Sequence, residues 1–133
     1  MKHLFALLLA LFTFSVNAKC ANELYVFTGK VATQDSAPIA DALVAVAWNE
    51  TVRGRTLERT TRTDSTGQYS IEVPFYPWSG TKRGTDSCDA KLAEVAALVV
   101  APGFVEEQAE LPVNGLQTTA NYSLKRTAAE RLR

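Results

Sequence analysis

Histidine is almost missing from this chain, because the single one among its 133 residues is His3. Histidine is the commonest general base and the commonest protein ligand for metals. Its absence from the body of the chain argues against Ser-His-Asp and Cys-His catalysis, histidine-based zinc sites and the His/Tyr iron sites of sandwich dioxygenases. We therefore expect a protein that is not an enzyme, with no catalytic residue, no metal and no other cofactor.

Carboxylate chemistry is the alternative that survives this absence. Asp86 and Asp89 flank a cysteine, and Glu106, Glu107 and Glu110 follow in a later acidic segment. Acid–base catalysis by two carboxylates needs side chains that face each other across a cleft. Neighbouring residues of a strand point to opposite faces, so we expect these side chains to be solvated.

No hydrophobic run reaches the roughly 20 residues that a membrane-spanning helix needs. The longest run, Leu4–Phe14, follows the positive charge of Lys2 and precedes the residues Ser-Val-Asn-Ala. This arrangement predicts a secretory signal peptide over residues 1–18, with cleavage after Ala18, and an uncleaved anchor is the alternative. We expect a periplasmic or secreted protein that is not inserted in the membrane after cleavage.

Cysteine is also scarce, with only Cys20 and Cys88 in the chain. An exported protein meets an oxidising compartment in which thiols pair, so we expect one disulfide between them. A reactive free thiol near Lys82 and Arg83 is the alternative. Lipid attachment at Cys20 is disfavoured by Lys19, since bacterial lipidation prefers a small residue at that place.

Charge of neither sign is in excess, because 14 basic residues balance 14 acidic ones. A chain without net charge has no electrostatic reason to bind nucleic acid or an anionic membrane surface. The length that remains after the leader suits one ordinary domain, residues 19–126. Residues 127–133 have no core to join, and we expect a flexible carboxyl-terminal tail.

Apolar and polar residues alternate in short segments separated by turn residues. The second segment is apolar on both faces, which is typical of a strand in the middle of a sheet or under a covering loop. The segment Asp64–Gly67 predicts a hairpin turn, and Pro74 predicts the end of the strand after it. Lys91–Ala97 could also form a short helix. The pattern predicts seven strands, at residues 24–31, 42–48, 57–63, 69–73, 95–101, 104–111 and 120–124.

Several of these segments resemble one protein family. They read F-T-G-K-V, P-I-A-D-A-L-V-A-V-A-W, T-D-S-T-G-Q-Y-S-I-E-V-P and A-P-G-F. They resemble the carboxypeptidase regulatory-like, or transthyretin-like (prealbumin-like), β-sandwich domains. The resemblance implies an all-β, seven-stranded Greek-key sandwich. The family's hydrolases of 5-hydroxyisourate depend on histidines and a final Tyr-Arg-Gly-Ser, whereas this chain ends in Glu-Arg-Leu-Arg.

The segment after Pro74 is the candidate for recognition. It is rich in glycine and serine, and we expect the disulfide to hold it. Aromatic and arginine side chains are frequent anchors of binding surfaces. The predicted partner-binding residues are Tyr76, Trp78, Lys82 and Arg83.

The sequence therefore predicts an exported, non-catalytic sandwich that binds a protein or glycan partner. Two alternatives stay open. The aromatic residues after Pro74 could plug one end of the sandwich, or the protein could be a structural or inhibitory component whose edge strands pair with another chain.

Overall fold

The computed structural model describes residues 20–50, 54–78 and 88–132. These residues form eight strands and one short helix, so the protein is all-β, as predicted. None of the helical residues among them forms a segment long and apolar enough to cross a membrane. The elements are β1 Glu23–Thr33, β2 Leu43–Asn49, β3 Thr56–Arg62, β4 Gln68–Phe75, β5 Val95–Val100, β6 Glu107–Leu111, β7 Gln117–Thr119, β8 Tyr122–Leu124 and α1 Ala128–Arg131.

The first sheet has the order β4-β1-β7, and β8 pairs with a later part of β1. Strand β4 runs antiparallel to β1, whereas β7 and β8 run parallel to it. The long strand β1 therefore joins the beginning of the described chain to its end within one sheet.

The second sheet has the order β3-β2-β5-β6, and all its pairs are antiparallel. Strands β2 and β5 lie in the middle. This position agrees with the prediction made from the two apolar faces of β2.

The core lies between the two sheets and is built by every second residue of the strands. In β4, for example, buried and exposed residues alternate without interruption from Gln68 to Phe75. The largest fully buried side chains are Phe27, Leu124, Val31, Val44, Val46, Val73, Val95 and Val99.

The hairpin turn between β3 and β4 forms as predicted. The Asp64 carboxylate accepts hydrogen bonds from the Thr66 amide at 2.9 Å, the Thr66 hydroxyl at 2.7 Å and the Gln68 amide at 3.0 Å. The hydrogen bond from the Thr66 side chain is the main reason why the pKa of Asp64 lies below its ordinary value. Gly67 has a φ of 76°, a conformation that glycine adopts without strain.

The described chain has eight strands rather than the predicted seven, because a short strand that was not predicted, β7, precedes the predicted last strand, which corresponds to β8. Beside Gly29 the chain between β7 and β8 approaches β1 so closely that a Cβ at this glycine would lie 1.7 Å from the Ala120 carbonyl oxygen. The Asn121 side chain accepts the hydrogen bond of the Lys30 amide at 2.9 Å. This side chain replaces a ladder partner at the interruption, which separates β7 from β8.

Two further details differ from expectation. Strand β4 continues through Pro74 to Phe75, because β4 is an edge strand and the missing amide hydrogen faces away from the ladder. The stretch expected to be a flexible tail contains α1, and the Thr127 amide donates to the Gly103 carbonyl at 2.9 Å. Strand β5 begins at Val95, as predicted, and no helix forms there.

Candidate functional site

The two cysteines form the predicted disulfide. Cys20 and Cys88 have their Cα atoms 5.6 Å apart and are separated by 68 positions in sequence. Close by, the Ala90 amide donates to the Pro77 carbonyl at 3.0 Å. The disulfide and this hydrogen bond hold both ends of the segment in which we predicted a partner-binding loop.

Two of the four predicted partner-binding residues lie in the described part of the chain. Tyr76 and Trp78 are each half-buried, and Lys82 and Arg83 lie outside the described residues. Phe75 is in the core and meets the Tyr25 ring edge-on, with centroids 6.0 Å apart. Phe75 is thus a core residue at the end of β4, and both the plug interpretation and partner binding by the loop stay predictions.

A concave site lies on the outer face of the second sheet. The sequence predicted no functional site on this face. Ala45, Ala47, Ala96 and Leu98 form its floor, in a depression of about 440 Å³. We call this depression the outer groove. Outward residues of an antiparallel sheet are usually polar, so an apolar floor here is unusual. The volume is within the range of small-molecule sites, about 300–1,000 Å³.

The strand register explains the shape of the outer groove. Ala47 is paired with Glu58 of β3 on one side and with Ala96 of β5 on the other, and Ala96 is paired with Glu110 of β6. Residues directly opposite each other point to the same face. One row across the sheet therefore presents a carboxylate on β3, a methyl group on each of β2 and β5, and a second carboxylate on β6.

The rim of the outer groove is polar and acidic. Glu58 and Glu110 are exposed, and neither has a salt bridge or side-chain hydrogen bond among the described residues. Gln108 adds an amide on the same edge as Glu110. Three strand spacings of about 4.8 Å separate the two glutamates, so their Cα atoms lie about 14 Å apart.

The sequence carried part of the signal for this groove. The outward apolar residues of β2 were visible, and Ala96 and Leu98 alternate with buried Val95 and Val99 in β5. The missing information was the pairing of β2 with β5, because about 50 residues of chain separate the two strands.

Two tyrosines form a second polar feature, inside the sandwich. The rings of Tyr69 and Tyr122 lie 6.3 Å apart. The Tyr69 hydroxyl donates to the Ala120 carbonyl at 2.6 Å, whereas the buried Tyr122 hydroxyl has no hydrogen-bond partner among the described residues. Burial is the main reason why the pKa of each phenol lies above its ordinary value, so both are neutral at physiological pH.

No family model matches the sequence, and no curated protein matches it. Solved structures do match. The 3-chlorocatechol 1,2-dioxygenase of Rhodococcus opacus has a TM-score of 0.58 at 12% identity, over 83% of this chain and 62% of that one. Catechol 1,2-dioxygenase of Acinetobacter radioresistens has a TM-score of 0.59 at 17% identity, over 81% and 53%. The chain shares the fold of these dioxygenases.

A smaller neighbour matches along most of its length. It is the dioxygenase domain of a dioxygenase carbohydrate-binding protein fusion from Streptomyces sp. SirexAA-E, with a TM-score of 0.55 and 13% identity over 84% of this chain and 86% of that domain. By contrast, this chain spans only 53–62% of the two larger enzymes. At these identities the likeness shows the fold alone.

These matches overturn three expectations. The transthyretin-like assignment is wrong, because the neighbours named above are dioxygenases. Its signature segments describe strand–turn–strand units that sandwiches of other families also contain. The expectations of a non-catalytic binding or edge-pairing module and of a protein that is not an enzyme are contradicted as well, since these structural neighbours are dioxygenases.

The described residues do not fit a His/Tyr iron site of the kind noted for sandwich dioxygenases. They include no histidine, since His3 lies outside them. They also hold no group of three or more Cys, Asp, Glu or His side chains placed to bind a metal. Tyr69 and Tyr122 are neutral phenols engaged with the core, which leaves no set of iron ligands to assemble around them.

Proposed function

We propose that this protein acts on a small hydroxylated aromatic compound that binds flat in the outer groove. The observation that carries the proposal is the apolar floor between two unpaired carboxylates, in the fold of catechol, chlorocatechol and hydroxyquinol 1,2-dioxygenases.

The floor suits a planar ring because of the size of its side chains. Alanine methyl groups let a ring approach the sheet closely, and Leu98 adds a larger apolar side chain to the floor. Burial of a ring against these side chains contributes about 25 cal/mol per Å² of apolar surface. The floor alone would accept any apolar ring of this size.

The rim supplies the selectivity for hydroxyl groups. Ionised Glu58 and Glu110 accept hydrogen bonds and donate none, so they favour a ring that carries hydroxyl donors. The same carboxylates repel a ring with a carboxylate substituent. We therefore expect neutral catechols to bind more tightly than aromatic acids.

The chemical step is not assigned to iron, because the described residues do not supply the ligands. The protein's own contribution in the proposal is to bind and orient the ring on the alanine floor, with the hydroxyl groups toward the carboxylates. Because no residue is assigned a chemical step, loss of the compound itself is the readout of the reaction.

Titration with catechol, chlorocatechol and hydroxyquinol, followed by amide chemical shifts, tests the proposal. We expect saturable shifts at Ala47 and Ala96, and mass spectrometry should detect consumption of the bound compound. Ala96→Phe fills the exposed floor and should abolish both effects. Ser70→Phe places the same ring on an exposed position of β4 in the first sheet and should change neither. Shifts that persist in Ala96→Phe, or no saturable binding at all, would contradict the proposal.

We further propose that the protein is exported to the periplasm or secreted, and that residues 1–18 are a cleaved leader. The disulfide supports this proposal, since such bonds persist in oxidising compartments. The Greek-key connection expected for the strands and the absence of nucleic-acid partners also remain proposals. Mass spectrometry of the exported protein should find an amino terminus at Lys19, and a terminus at Met1 would contradict the leader.

A further inference from the structure

A second pocket, distant in sequence from the outer groove, lies where the chain ends. It has a volume of about 170 Å³ and is formed by the turn after β1, the residues after β8 and helix α1. We call it the tail pocket. The polar residues that line it are Thr33, Gln34, Asp35, Lys125, Arg126 and Arg131.

The tail pocket has an excess of positive charge. Its lining residues include three basic ones and one acidic one, which gives them a net formal charge of two positive units. Lys125, Arg126 and Arg131 have no salt bridge among the described residues. Their N–H donors are therefore available to an anion.

Arg126 is held in place by contacts that leave these donors available. Its guanidinium lies over the Phe104 ring at 5.2 Å from the centroid, and its backbone forms a β-bridge with the same residue. Stacking uses the face of the guanidinium, while the five N–H donors lie at its edge. The adjacent Lys125 carbonyl accepts from the Val105 amide at 2.8 Å. The residue is thus ordered before any ligand binds.

Helix α1 brings the third cation. Its start is fixed by the hydrogen bond from the Thr127 amide to Gly103, and the Arg131 amide donates to the Thr127 carbonyl at 3.2 Å. These bonds place Arg131 on the same pocket as Lys125 and Arg126, although α1 buries no residue in the core. The tail is therefore positioned without contributing to the hydrophobic core.

The single acidic lining residue reduces the positive charge of the pocket. Asp35 accepts a hydrogen bond from the Thr33 hydroxyl at 2.6 Å, and this bond is the main reason why its pKa lies below the ordinary value. The carboxylate remains charged at neutral pH and opposes part of the positive field. A weakly charged anion gains little from such a field, whereas a compact doubly charged oxyanion gains more.

We propose that the tail pocket is a binding site for a small, doubly charged oxyanion of the phosphate type, held by Arg126, Arg131 and Lys125. This site is independent of the outer groove, because the two share no residue. Guanidinium groups suit such a ligand, since they bind phosphate oxygens with two parallel hydrogen bonds.

Inorganic phosphate, titrated at constant ionic strength and followed by amide shifts of Arg126 and Arg131, tests the site. The double variant Arg126→Gln/Arg131→Gln should weaken binding at least tenfold. The matched control is Arg59→Gln/Arg62→Gln on β3, which removes the same charge from the second sheet and should leave the affinity unchanged. An equal loss of phosphate affinity in both double variants would show that only net charge matters and would overturn the proposal. Amide shifts of the same size with chloride would also overturn it.

Asp35→Asn provides a test in the opposite direction. Removal of the opposing carboxylate should tighten phosphate binding several-fold, and the melting temperature identifies any loss of folding. Weaker phosphate binding in a folded Asp35→Asn variant would overturn the proposal. Catechol binding should be the same in all these variants, so failure of this site and failure of the outer groove are distinguishable.

Discussion

The outer faces of the two sheets are built differently, although their inner faces follow the same rule. On the first sheet, the exposed residues of β4 alternate with core residues and most are polar, such as Gln68, Ser70 and Glu72. On the second sheet, the corresponding positions of β2 and β5 carry alanine, leucine and valine. A solvated face has no need of apolar side chains. The apolar outer face of β2 and β5 is therefore the feature that distinguishes the second sheet from the first.

In the first sheet, β1 and the chain between β7 and β8 approach each other closely at Gly29. A substitution at Gly29 should therefore have the largest effect on stability. A Cβ at this position would lie 1.7 Å from the Ala120 carbonyl oxygen and 2.9 Å from the Tyr69 ring. The backbone must shift, so Gly29→Ala should cost at least about 3 kcal/mol of unfolding free energy. Urea denaturation measures the cost.

Gly115→Ala is the control for this prediction. Gly115 has a φ of 70° with open space around it, so only conformational strain applies and the cost should be about 1 kcal/mol. Equal costs at both glycines would show that the connection between β7 and β8 tolerates displacement.

The first sheet should also carry the alkaline pH dependence of stability. Burial raises the pKa of Tyr69 above its unfolded value of 10.0. A raised pKa stabilises the fold at pH values below 10 and loses this contribution as the pH rises further. Tyr69→Phe should cost about 1 kcal/mol at pH 7, through loss of the hydrogen bond to Ala120, and should flatten the decline of stability above pH 10. An unchanged decline in Tyr69→Phe would assign the titration to another group.

The second sheet should tolerate polar residues on its outer face. Leu98→Thr should change the unfolding free energy by less than about 1 kcal/mol, because Leu98 is partly exposed. The same change at the neighbouring, fully buried Val99 introduces a hydroxyl into the core and should cost about 1–3 kcal/mol. Similar costs in thermal unfolding would mean that the outer groove is covered in the folded protein.

Local features of the fold were predictable from the sequence, whereas features that depend on distant pairing were not. The alternation of β4 and the Asp64–Gly67 turn are encoded within ten residues, and the disulfide followed from a count of two cysteines. The outer groove depends on the register of β2 with β5, which no local pattern specifies. The break between β7 and β8 depends on the close approach at Gly29 from nearly a hundred residues away.

The family was misjudged for the same reason. Segments such as T-D-S-T-G-Q-Y-S-I-E-V-P report a strand, a tight turn and a second strand, and the same local chemistry occurs in many sandwiches. Strand order and the shape of the outer face separate such folds, and both are properties of the assembled sheets. The lack of histidine was informative about iron ligands, but it did not determine the fold.

Strand β1 pairs with β4, and it also pairs with β7 and β8 at the other end of the chain. Contacts between such distant segments are slow to form, because a long loop of chain must close first. The first sheet therefore cannot be completed until residues up to Leu124 have been synthesised. A chain that emerges from the ribosome with its amino terminus first must therefore stay incompletely folded until β8 is available.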